Sequence, residues 1–143
     1  METTNDYTIS EIDDTDRHWI GFSVQNMIRL IDERSFGEVM DYFDPGLLDR
    51  FFGKCLEEYN AGRLDKNILT FAFGCGLGEY LVRKLGFRWV LFSDSRGSDL
   101  AVADKEKKLV VFPISSTRKR FEVSEAEGFT AIADTVLSRY SSN

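Results

Sequence analysis

The chain has 143 residues and a formal net charge of −6 at pH 7. That length predicts one domain, and twelve Phe, two Trp and five Tyr supply a core that needs no disulfide or metal staple. The acidity disfavours general nucleic-acid binding. With no basic leader and no long apolar run, neither secretion nor a membrane span is expected, and a cytoplasmic, reducing location fits.

The charge is uneven. Residues 1–60 hold fourteen acidic and five basic side chains, whereas residues 61–143 hold ten and thirteen. An acid-rich half suits a basic protein partner.

Residues 1–12 are polar and read as a flexible tail ahead of a domain over 13–143. Asp13, Asp14 and Thr15 are candidate N-caps, with Asp16 in the first turn of a helix. Ile20, Val24, Met27, Ile28 and Ile31 then recur at helical spacing; Trp19 and Leu30 widen the stripe, and His18, Gln25 and Arg29 oppose it. This helix should stop near Ser35–Gly37, with a short helical piece over Glu38–Phe43. Asp44-Pro45 starts a second helix, its apolar face running from Leu48, Phe51 and Phe52 to Cys55, Leu56 and Tyr59, with Gly62 as the stop. Asp65 can cap a third.

Beyond Gly86 the pattern turns aromatic and β-branched. Phe87–Phe92, Asp99–Ala103 and Leu109–Ile114 read as strands, with turns near Arg96-Gly97 and Glu106-Lys107. These connections are too short for parallel crossovers, so an antiparallel three-stranded meander is predicted. Ser115–Phe121 reads as a helical or irregular connector. Ser124-Glu125-Ala126-Glu127 has capping-box spacing ahead of a last helix carrying Phe129, Ile132, Ala133, Val136, Leu137 and Tyr140. The expected fold class is α+β: N-terminal helices, a three-stranded antiparallel sheet and a C-terminal helix.

Gly74-Cys75-Gly76-Leu77-Gly78 can be read in two ways. After the apolar run Ile68–Phe73 it resembles the glycine turn of S-adenosylmethionine-dependent methyltransferases, with Asp94 where such enzymes place a ribose-binding acid. Phe73 stands where those motifs carry an acid, however, and the short turns beyond Gly86 do not fit a doubly wound sheet. The alternative is one helix over about Lys66–Leu85, apolar on two sides and therefore central, whose glycines admit neighbouring elements. We adopt that reading, with Gly78 on a buried face.

The series Gly76-Leu77-Gly78-Glu79-Tyr80-Leu81-Val82-Arg83-Lys84-Leu85-Gly86, followed by Arg88-Trp89-Val90, Phe112-Pro113-Ile114 and Lys119-Arg120, resembles the bacterial family called domain of unknown function 3806. The likeness spans about Phe71–Glu122. It implies a fold and supplies no mechanism.

No catalytic set stands out. His18, the single histidine, falls opposite the apolar stripe. Cys55 and Cys75 lie within apolar patterns and read as buried free thiols rather than a bridge or zinc ligands. Glu38, Asp41 and Asp44, spaced by three beside Tyr42, could line one face; a solvated or partner-binding face fits better than a divalent-ion site. Arg118, Lys119 and Arg120, with Lys105, Lys107 and Lys108, make a candidate basic patch. Glu79 is expected to bridge to Arg88 or Arg120. No cofactor and no metal are expected. The composition points to a small non-enzymatic protein-interaction domain of the immunity-protein or antitoxin type, its partner a basic protein such as a toxin. The alternatives are a housekeeping adaptor and a methyltransferase-like protein that binds S-adenosylmethionine.

Overall fold

The computed structural model describes residues 6–123 and 128–141. The helices are α1 (Asp14–Arg34), α2 (Pro45–Asn60), α3 (Lys66–Leu85), α4 (Pro113–Glu122) and α5 (Phe129–Ser141). The strands are β1 (Tyr7–Glu11), β2 (Arg88–Asp94), β3 (Gly97–Ala103) and β4 (Val110–Val111). Among the described residues they form one antiparallel sheet in the order β1-β2-β3-β4.

The organising element is α3. Asp65 caps it, accepting from the backbone N–H of Asn67 and Ile68, and Gly86 ends it in the left-handed conformation at φ 73°. Every residue from Ala72 to Gly78 is buried. A helix apolar on two sides has little solvent face to offer, so it sits in the centre, touching α1, α2, α4, β2 and β3. Its three glycines forfeit about 1 kcal/mol each of helix propensity relative to Ala. Tertiary packing of that apolar surface outweighs the loss. The glycine-turn reading is therefore overturned: the cluster is helix interior. Asp94, its supposed companion, accepts from the Arg96 backbone N–H in the β2–β3 turn.

α1 begins with a capping box in which Asp13 and Asp16 each accept from the other's backbone N–H. It buries Ile20, Val24, Met27, Leu30 and Ile31. Trp19, expected to extend that stripe, is 43% exposed and stacks on Phe22 beside Phe71. Arg34 closes the helix against α2 through paired hydrogen bonds to Glu58, one of them 2.8 Å.

Three expectations are corrected. Tyr7–Glu11, where the polar composition predicts a tail, is β1, hydrogen-bonded to β2; only Tyr7 and Ile9 carry apolar signal, and the open edge of β2 provides the rest. The predicted strand Leu109–Ile114 contracts to Val110–Val111, because Pro113 fixes the first turn of α4. Glu38–Phe43 is a bent loop without a helical turn. The predicted β2–β3–β4 meander is present, and Cys55 and Cys75 are free and buried. The capping sequence Ser124–Glu127 lies outside the described residues.

Candidate functional site

Three glycine faces of α3 are filled by three different elements. A Cβ on Gly74 would lie 2.8 Å from the Ile114 Cα, one on Gly76 2.2 Å from the Met27 sulfur, and one on Gly78 2.3 Å from the Trp89 ring. The Trp89 indole thus rests directly on the helix backbone at Gly78. Its Nε1 donates to Glu79 Oε2 at 2.9 Å, and Arg83 Nε donates to Glu79 Oε1 at 3.3 Å. Arg83 in turn covers the Phe43 ring at 4.3 Å.

Glu79 therefore bridges to Trp89 and Arg83, not to Arg88 or Arg120. Two periodicities explain the correction. Arg83 lies one helical turn from Glu79 on α3. On β2, Trp89 points toward α3, so its strand neighbour Arg88 points the opposite way. Beside this unit, between α1, α3 and the start of β2, lies a cavity of about 590 Å³ lined in part by Glu79, Arg83, Arg88 and Trp89.

The other candidate surface is the loop between α1 and α2. It is tied down from within. Tyr42 donates its hydroxyl to Asp32, Phe43 is buried, and Asp41 accepts from the Phe43 backbone N–H and pairs with Lys84 at 3.8 Å. Asp44 caps α2 by accepting from the Leu47 N–H. Phe36 is 100% exposed and Met40 89% exposed on the same loop. Of the predicted set, Tyr42, Asp41 and Asp44 are engaged in holding the loop, and Glu38 is exposed without an ion pair among the described residues. The three acids share their groove with Arg50 and Lys54, so the face is of mixed charge rather than purely acidic. Sequence reasoning did not single out Phe36 and Met40; two large apolar side chains in a segment without helical or strand periodicity were the available signal.

The basic patch is dispersed. Successive residues of a helix project about 100° apart, so Arg118, Lys119 and Arg120 on α4 do not share a face. Arg120 points inward, pairs with Asp49 at 2.9 Å and lies over the rings of Phe52 and Phe129 at 4.5 and 4.8 Å. Lys119 is exposed and Lys108 pairs with Glu106 at 3.0 Å. Asp49, not anticipated from the sequence, accepts from the backbone N–H groups of Phe129 and Thr130 and from the Thr130 hydroxyl. It caps α5 from α2. Burial alone would push its carboxyl up, but these hydrogen bonds and the Arg120 charge outweigh burial and hold it below its ordinary value.

The remaining chemistry is quiet. His18 is exposed. Burial pushes the Cys55 thiol up to about 11 and the Cys75 thiol up to about 12, which leaves little thiolate at neutral pH. Among the described residues no three His, Cys, Asp or Glu side chains are grouped to hold a metal ion, and no helix is long and apolar enough to cross a membrane.

The fold is thus a mixed helix-and-sheet domain built on a glycine-bearing central helix, with a Gly–Glu–Trp unit at the junction of helix and sheet. Residues 54–132, more than half of the 143, match the family described as domain of unknown function (DUF3806), and the chain belongs to that family. No curated protein and no solved structure matches the chain.

Proposed function

We propose that this is a non-enzymatic protein-interaction domain whose contact surface is the α1–α2 loop. One observation carries the reading: Phe36 and Met40 stand 100% and 89% exposed on a loop that is otherwise fastened by Tyr42, Phe43, Asp41 and Asp44. Apolar side chains held out by a fixed loop serve no packing within the chain. They suit insertion into a pocket on a partner, where buried anchors supply most of the binding energy. The exposed acids Glu33 and Glu38 flank them, and the acid excess of residues 1–60 would steer a basic partner toward this half. An immunity protein bound to a basic toxin is the specific form this takes; a housekeeping adaptor is the other.

The test is capture of partners from the native host with the wild-type chain and with Phe36→Ala/Met40→Ala. Both side chains are exposed, so the variant should unfold within about 0.5 kcal/mol of wild type. A specific partner should be retained by wild type and bind the variant at least about tenfold more weakly. Equal retention by both proteins rejects the loop as the contact surface. If the partner is a basic toxin whose activity the chain suppresses, the immunity reading stands; a partner whose activity is unchanged points to an adaptor. Glu38→Lys is the clean charge probe, because Asp41 and Asp44 hold the loop itself.

A further inference from the structure

We infer that β1 is a dimerisation edge: it pairs antiparallel with β1 of a second copy of this chain, centred on Ile9, and joins two sheets into one. The inference is independent of the α1–α2 loop and of the reading built on it.

The direction of the backbone groups carries the first step. β2 and β3 close through the two residues Ser95-Arg96, so Asp94 and Gly97 exchange main-chain hydrogen bonds. Such pairs alternate along an antiparallel ladder. The even-numbered residues of β2 are thereby turned toward β3 and the odd-numbered ones toward β1. Asp104 fixes the same alternation from the other side of β3, its N–H donating to the Leu109 carbonyl at 3.1 Å. Ser93 and Leu91 are therefore bonded to Thr8 and Ser10. Tyr7, Ile9 and Glu11 turn their N–H and C=O groups outward, where, among the described residues, nothing pairs with them.

The second step is a contrast between the two edges of the sheet. β4 is two residues long, has Lys105, Lys107 and Lys108 in the turn ahead of it, and is stopped by Pro113. Those are the devices that blunt an edge. β1 has five residues in unbroken register with no bulge, proline or lysine, and four of the five are exposed. An edge left unguarded over that length is a template for another strand.

The third step is which strand. A two-fold dimer needs a surface that complements itself, and Tyr7-Thr8-Ile9-Ser10-Glu11 does so about Ile9. Paired antiparallel, Ile9 meets Ile9 of the second copy, Thr8 meets Ser10, and Tyr7 meets Glu11. Aliphatic faces aliphatic, hydroxyl faces hydroxyl, and no two carboxylates are opposed. The outward residues of the two copies exchange about six main-chain hydrogen bonds, two per pair. Ile9 already packs with Phe92 on the cluster of Val90, Ala101 and Ala103, on the sheet face away from α3. The pairing continues that apolar row from one sheet into the next.

The test is sedimentation equilibrium of the full chain. The weight-average mass should rise from 16.4 kDa toward twice that value between about 1 and 500 μM. Ile9→Pro removes an outward N–H, and proline is tolerated on an edge where that group faces solvent. It should keep the β1–β2 ladder and weaken the dimer at least about tenfold. Ile9→Cys tests the register without relying on proline. Opposed Cα atoms of a hydrogen-bonded pair lie about 5.5 Å apart, a span that a disulfide bridges. Glu11 of each copy lies about 13 Å along the strand from Glu11 of the other. Cys55 and Cys75 are buried, so the introduced thiol is the accessible one. Mild oxidation should cross-link Ile9→Cys at least about tenfold faster than Glu11→Cys. The proposal is overturned if the chain stays monomeric through that range. It is equally overturned if Ile9→Pro, with an unaltered circular dichroism spectrum, self-associates like wild type, or if the two cysteine variants cross-link alike.

Discussion

Six glycines lie in helices among the described residues, and the five in helix interiors share an intrinsic cost but divide between two opposite environments. Gly74, Gly76 and Gly78 of α3 are pressed by Ile114, Met27 and Trp89, so that even a methyl group would collide. Gly21 of α1 and Gly53 of α2 have nothing within 4 Å of the place a Cβ would take. Each glycine weakens its helix by roughly 0.5–1 kcal/mol relative to Ala. In α3 that loss is offset by the close approach of three elements to the helix backbone. In α1 and α2 no contact within the chain offsets it. Helix propensity therefore states the cost of a glycine, and only the tertiary neighbour states its use.

The sharpest way to break this comparison is to add volume to α3. Gly78→Leu should overpack the contact with Trp89 and Pro113 and cost roughly 1–3 kcal/mol in urea unfolding. Gly74→Leu should cost at least as much, since its neighbour is the Ile114 backbone and α4 must move to yield. Gly76→Leu should be the mildest of the three, because the flexible Met27 side chain can withdraw. If Gly78→Leu unfolds like wild type, close packing does not explain the α3 glycines.

Capping gives a second contrast of the same kind. Asp13, Asp44 and Asp65 each cap the helix that follows them, whereas α5 takes its cap from Asp49, eighty residues away from Phe129. Removing Asp49 should loosen the junction of α2 and α5. Asp49→Ala frees two backbone N–H groups and leaves Arg120, whose side chain is only 20% exposed, without its carboxylate. The expected loss at pH 7 is about 1–2 kcal/mol. Because the folded carboxyl titrates below its ordinary 3.8, its contribution is complete above that pH and disappears as pH falls through the lowered folded value. The variant should therefore lose stability less steeply than wild type in that acid range. Parallel acid limbs would show that Asp49 is not a source of the pH dependence.

These two contrasts separate what the sequence discloses from what it does not. Both ends of α3 were legible because Asp65 and Gly86 act on their own helix, and its central position followed from apolar residues on two sides. The β2–β3–β4 meander was legible from turn length alone. β1 was not, since its strand character comes from the edge of β2 rather than from Tyr7–Glu11. α4 was missed at its start because the aliphatic run Leu109–Phe112 masked the helix-initiating meaning of Pro113. At the site, Gly78 and Glu79 could be singled out, but the partner of Glu79 depends on how a helix and a strand are juxtaposed. Arg120 was legible as a charge and not as the inward-pointing partner of Asp49, because nothing local to either residue brings α2 beside α4.

The smallest expected effect has the opposite sign. Gly53→Ala places a methyl group in the interior of α2, where no neighbour lies within 4 Å and the backbone is already helical. It should stabilise the chain by roughly 0.5–1 kcal/mol, chiefly by restricting the unfolded state. For a domain of this size that corresponds to a rise in melting temperature of about 2–4 °C. Gly21→Ala should give a similar gain, because a methyl group there also lies in open space. A fall in melting temperature for either variant would mean that the space around its Cβ is not free in solution, and the division between crowded and open glycines would fail at that position. A gain at Gly53 with a loss at Gly21 would be the most informative result, since it would show that the space beside Gly21 is not free in solution.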